Sequence, residues 1–98
     1  MIAALSLNEE GFLTDPAIWN EEIALAIARA NQIEMNERHW VVVRYMRKDF
    51  QENGKAPTIR RITKNSGVDT KELYQLFPVR PGSTAAKIAG VPKPEGCV

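Results

Sequence analysis

The stretch Glu37-Arg38-His39-Trp40-Val41-Val42-Val43-Arg44-Tyr45-Met46-Arg47-Lys48-Asp49-Phe50-Gln51 admits two readings, and the choice between them sets the fold. Val41-Val42-Val43 favours a strand, because β-branched side chains fit a pleated surface. The wider pattern favours a helix. Trp40, Val43 and Arg47, and Val42, Met46 and Phe50, recur at three- and four-residue steps over a run longer than an ordinary strand. Asn36 can cap the start and Gly54 lies beyond the end, so residues 37–51 read as helix.

On the N-terminal side, Asp15-Pro16 supplies an N-cap and a first-turn proline. Trp19, Ile23, Ile27 and Ala30 at helical spacing then carry a helix to about Asn31. Ahead of it, Leu5 and Leu7, the turn Asn8-Glu9-Glu10-Gly11, then Phe12 and Leu13 predict a small β-hairpin lying on the helices. On the C-terminal side, Thr58 caps a short helix through Asn65, and Asp69 or Thr70 caps the next, with Glu72 placed for a capping box. Pro78 stops that helix and Pro81-Gly82 makes a further break. Ser83 or Thr84 then opens a last helix ending at Gly90. Residues 91–98, with Pro92 and Pro94, read as an extended, polyproline-like arm in which Gly96 adds a swivel. The fold class is therefore mainly α: a small orthogonal bundle of about five helices containing a helix-turn-helix, with an N-terminal hairpin and a C-terminal arm. Residues 1–90 form the body and residues 91–98 the arm of one domain, an organisation that 98 residues permit.

A hydrophobic share of 44% excludes wholesale disorder. A net charge of +1 gives no bulk attraction to nucleic acid or membrane, so any electrostatic preference must be local. No apolar run approaches the roughly 20 residues of a membrane span, and Met1 to Glu10 has no basic n-region or cleavage site. The expectation is a cytoplasmic protein without a membrane partner. One cysteine and one histidine cannot build an internal disulfide or an ordinary four-ligand zinc site, and no cofactor motif is present, so neither metal nor cofactor is expected.

Two features carry candidate chemistry. Cys97 sits on the arm, where Pro-Lys-Pro-Glu-Gly offers little apolar surface to tie it into a core, unlike the common buried cysteine. A thiolate there can attack the outer sulfur of a persulfide and then hand that sulfur on. Lys93, Lys87 or Arg60 would stabilise the thiolate if the arm folds back, offsetting the Val98 carboxylate. The second feature is residues 58–77, which look like a helix-turn-helix with Gly67 in the turn and Arg60, Arg61, Lys64 and Lys71 adding positive charge. Its second helix is poor in base-reading side chains, with Lys71 and Gln75 the best available, and DNA binding is the weaker alternative. His39 beside Trp40 is assigned packing or capping; Tyr45, Tyr74 and the tryptophans are assigned to the core, and Glu9, Glu10, Glu21 and Glu22 to solvated surface.

The ending Lys87-Ile88-Ala89-Gly90-Val91-Pro92-Lys93-Pro94, then Gly96-Cys97-Val98, after Leu76-Phe77-Pro78, resembles the C-terminal signature of the DsrC/TusE family. Gly11-Phe12-Leu13, Trp19, Glu37-Arg38-His39-Trp40, Arg44-Tyr45-Met46-Arg47 and Ala56-Pro57-Thr58-Ile59-Arg60 match that family's pattern in order. The family comprises the gamma subunit of dissimilatory sulfite reductase and relatives in the sulfur relay of tRNA thiolation. The resemblance implies that Cys97 carries sulfur, with Pro92, Lys93, Pro94 and Gly96 as hinge and delivery segment. It implies an upstream persulfide donor protein and a downstream tRNA-thiolating or sulfite reductase-type complex. The protein is then a carrier, enzymatic only in the formal sense of a sulfurtransferase. Sulfite-reductase members hold a second cysteine eleven residues before the first; here that position is Ala86, so a two-cysteine cycle within this chain is impossible.

Overall fold

The computed structural model describes residues 7–94. Its five α-helices among those residues are α1 (Glu21–Ala30), α2 (Glu37–Asn53), α3 (Ile59–Asn65), α4 (Thr70–Leu76) and α5 (Pro81–Ala89). The triple-valine stretch is helical, and its pattern explains why: Val42, Val43 and Met46 are fully buried along one face of α2, while Arg44 and Lys48 are exposed.

Caps fix most of the boundaries. The Asn36 carboxamide accepts from the Arg38 and His39 amides. His39 reaches back, its Nδ1 accepting from the Asn36 amide at 3.1 Å, and its Nε2 meets the Leu76 carbonyl at 2.9 Å. With Nδ1 accepting, Nε2 carries the proton and donates. The ring also stands edge-on to Phe77 at 5.1 Å, so His39 is a cap and a packing residue together. Thr58 and Asp69 cap α3 and α4 as the sequence indicates, while the Glu72 side chain turns to Arg38 (2.6 Å).

Three expectations need correction. The N-terminal hairpin is not formed: among the described residues there is no strand, only one isolated antiparallel bridge between Leu7 and Leu13, and Leu5 lies outside them. The Asn8 carboxamide accepts from the Glu10 and Phe12 amides and the Asn8 amide donates to the Phe12 carbonyl at 2.8 Å, so the turn closes around Asn8 and pairing among the described residues stops at the single bridge. Secondly, Asp15 caps only a 3-10 turn, Pro16–Ile18, and α1 begins afresh behind Asn20, whose side chain accepts from the Ile23 amide. Thirdly, Pro81 and Gly82 open α5 instead of breaking the chain before it. Arg80 adopts a left-handed backbone (φ 45°) that turns the chain into the helix with no side-chain cap.

The core sits where α5 lies against α1 and α2. Small residues make this possible. Gly82, Ser83, Thr84, Ala85, Ala86 and Ala89 are all buried, so neighbouring helices approach the α5 backbone closely, and Lys87 alone in the helix is not buried. Opposite, α3 packs on α2 and α4, and the exposed Arg61 pairs with the buried Asp49 at 2.6 Å. The Asp49 carboxylate raises the Arg61 guanidinium above its ordinary value by accepting its hydrogen bond. Tyr45, Trp19 and Trp40 pack against the core, whereas Tyr74 is 49% exposed and departs from its assignment. No helix among the described residues is long and apolar enough to cross a membrane.

Candidate functional site at the root of the C-terminal segment

The chain leaves α5 through Gly90, and two side chains hold that exit. The Trp19 indole N–H donates to the Ile88 carbonyl at 2.8 Å. Arg47 donates to the Ala89 carbonyl at 2.8 Å and to the Pro16 carbonyl at 3.1 Å, with its guanidinium 4.3 Å over the Trp19 ring. The carbonyls at the end of α5 thus find partners from the 3-10 turn and from α2. A cation there also suits the negative end of the helix. Partial burial pushes the Arg47 guanidinium down from its ordinary value, but the group remains a cation at neutral pH.

Gly90 is required at this point for two reasons. Its φ is 69°, and a Cβ there would run into the Trp19 indole, whose Cγ would be 2.9 Å away. The Val91 amide then returns to the Ala86 carbonyl at 3.1 Å, closing the helix end. Val91 and Pro94 are buried, Pro92 and Lys93 exposed, and Lys93 donates to the Glu10 carboxylate at 2.8 Å. That hydrogen bond holds the Glu10 carboxyl below the usual carboxylate range, with the nearby charges of Lys87 and Arg80 acting in the same direction. Residues 91–94 are therefore fastened to the body at both ends and once between.

Beside this root lies a cleft of about 570 Å³ lined by Glu10, Phe12, Arg80, Ser83, Lys87 and Lys93, among others. Lys87 lies with its ammonium 5.6 Å from the Phe12 ring. The structure brings Lys87 and Lys93 to one cleft and places Arg60 elsewhere, in a surface depression with Lys48, Glu52 and Lys64. Ala86 is fully buried in α5. Gly96 and Cys97 lie outside the described residues. No group of three or more metal-ligating side chains occurs among the described residues.

Sequence reasoning did not assign Glu10, Trp19 and Arg47 to the root. Trp19 and Arg47 carry a signal only in retrospect, as a large amphipathic ring and a cation on faces otherwise apolar. Glu10, 83 positions from Lys93, carries none.

The comparisons with known proteins agree over almost the whole chain. Residues 2–98 match the family described as DsrC like protein. The Sulfurtransferase TusE of Salmonella typhimurium is 38% identical, covering 96% of this chain and 93% of its own. The dissimilatory-type sulfite reductase subunit gamma of Nitratidesulfovibrio vulgaris is 35% identical, covering 97% and 91%. Among solved structures, the oxidized gamma subunit (DsrC) from Archaeoglobus fulgidus superposes with a TM-score of 0.82 at 40% identity, covering 96% of this chain and 92% of that one. The chain belongs to the DsrC-like family.

Proposed function

We propose that this protein is a sulfur-relay carrier in the cytoplasm that accepts sulfur on Cys97 and passes it to a partner. Membership of the DsrC-like family over residues 2–98, in a chain whose one cysteine is Cys97, is the observation that carries the reading. The Cys97 thiolate attacks the outer sulfur of a donor persulfide. The donor S–S bond breaks, an S–S bond forms on Cys97, and the donor leaves as thiolate. An acceptor thiolate repeats the exchange and restores the Cys97 thiolate, so no external oxidant or reductant is needed.

Residues 1–90 act as the body and residues 91–98 as the arm. The fastening of residues 91–94 supports a division of labour within that arm: Pro92, Lys93 and Pro94 make a stiff stem, and Gly96 supplies the turning point beside the thiol. Lys87 and Lys93, which share one cleft, are better placed than Arg60 to favour the thiolate if the arm returns to the body. Ala86 restricts the chain to single-thiol carriage. The donor is a persulfide-bearing protein, and the acceptor is a tRNA-thiolating or sulfite reductase-type complex, following the names of the relatives.

DNA reading by residues 58–77 is not carried forward. Arg61 is engaged by Asp49, and Arg38 donates both to Glu72 and to the Gly67 carbonyl in the turn, so part of the charged surface serves internal fastening. The test is transfer of radiolabelled sulfur from a persulfide-bearing donor protein. Wild type should take up reductant-labile label, and Cys97→Ser should take up none while keeping a native circular-dichroism spectrum. Equal labelling of the variant would refute the carrier role of Cys97.

A further inference from the structure

The first turn of α5 forms part of the wall of the cleft described above, through Arg80, Ser83 and Thr84. First-turn amides have no acceptor inside a helix, and Arg80 at the N-cap position provides no side-chain cap for those of Gly82 and Ser83. With nine residues, α5 also presents a positive dipole end here.

Ser83 is the independent sign of a ligand. It is only 4% exposed, and among the described residues its hydroxyl is the buried side-chain oxygen that lacks a hydrogen-bond partner. A buried hydroxyl without a partner is unfavourable, so this donor calls for an acceptor from outside the fold. Thr84 is not equivalent, because its hydroxyl donates to the Val79 carbonyl at 2.6 Å. Among the described residues Arg80 has no ion-pair partner, and Lys87 faces a ring and not a carboxylate. The cleft's one carboxylate, Glu10, accepts from Lys93 at 2.8 Å and also lies near Lys87 and Arg80, so three cations face a single anion and positive charge is in excess.

We propose that this end of the cleft binds a small oxoanion of sulfate or phosphate type, held by the Ser83 hydroxyl, the first-turn amides of α5 and the charges of Arg80 and Lys87. Ser83, Arg80 and Lys87 line the same cleft, whose one carboxylate is already paired with Lys93, and the surplus of positive charge disfavours cations. Helix amides with adjacent Arg and Lys suit a group bearing several acceptor oxygens. The cleft's volume of about 570 Å³ exceeds that of a bare ion, so the oxoanion arrives either free or borne on a small organic group.

The test is an amide NMR titration of the Cys97→Ala protein, so that the result does not depend on sulfur loading. The titrants are sodium sulfate, inorganic phosphate, O-phosphoserine and, at matched ionic strength, sodium chloride. Resonance shifts are preferable to melting temperature because sulfate stabilises folded proteins generally by exclusion. Saturable shifts at Gly82, Ser83 and Thr84 are expected with the oxoanions and not with chloride. Ser83→Ala and Arg80→Asn should each weaken binding by about tenfold or more. Asn is chosen because it tolerates the left-handed backbone at this position. Tighter binding of phosphoserine would assign the carried form, and equal or tighter binding of the inorganic ions the free form; both support the site. Shifts that do not saturate, that chloride reproduces, or that both variants retain in full would overturn it.

Discussion

At Gly90 a backbone requirement and a packing requirement coincide, and the residue decides how the chain leaves α5. Gly90→Ala has to bear both a left-handed φ and a collision with the Trp19 ring, at an expected cost of about 2–4 kcal/mol in denaturant unfolding. Gly54→Ala is the control: its φ is 73°, but no atom lies within 4 Å of the added Cβ, and the cost should be about 1–2 kcal/mol. Equal losses would remove the Trp19 contact from the account. Glu10 makes a second prediction at this scale. Its folded-state carboxyl lies below the unfolded value because Lys93 donates to it. Its contribution is therefore present above the unfolded value of about 4.3 and lost as pH falls through the lower folded one. The Lys93 amide resonance should titrate below that ordinary range in wild type and not in Glu10→Gln. A midpoint at or above the ordinary value would mean that the pair does not form in solution.

Among the elements, those whose ends are set by local hydrogen bonds were legible. Asn36, Thr58 and Asp69 cap where the sequence indicates, because a side chain two or three residues from an orphan amide suffices. Helix α1 was misread because Trp19 leaves the helical pattern to reach Ile88, a partner 69 positions away. The start of α5 was misread because the left-handed turn at Arg80 is unusual for an arginine and has no signature. Among the described residues the expected hairpin is reduced to a turn closed around Asn8 and the one Leu7–Leu13 bridge. At this scale His39 can be tested, since it joins the start of α2 to the end of α4. His39→Ala loses the reach-back bond, the Leu76 contact and the Phe77 edge, for about 2–3 kcal/mol. His39→Gln should lose measurably less, because glutamine at this position completes a capping box. Equal losses would show that the reach-back bond contributes nothing.

Over the whole molecule, the described chain folds onto one core, and its last described residues, 91–94, are held against that core. The apolar faces of α1 and α2 were legible as helical periodicity, and the family as a sequence signature near the end of the chain, whereas the central place of the small-residue helix α5 in the core was not. The cleft was not legible, since Glu10, Phe12, Arg80 and Lys93 meet only when the first and last parts of the described chain fold onto α5. Trp19, Arg47 and Glu10 fasten the end of α5 and Lys93, and the proposed carrier role takes this as the fixed point for Cys97. The central claim, that Cys97 carries sulfur, is tested most directly by intact mass spectrometry after incubation with a persulfide donor. The account predicts that wild type gains the mass of one sulfur atom, that a reductant removes it, and that Cys97→Ala gains none. No gain in wild type with several donors, or an equal gain in the variant, would contradict it.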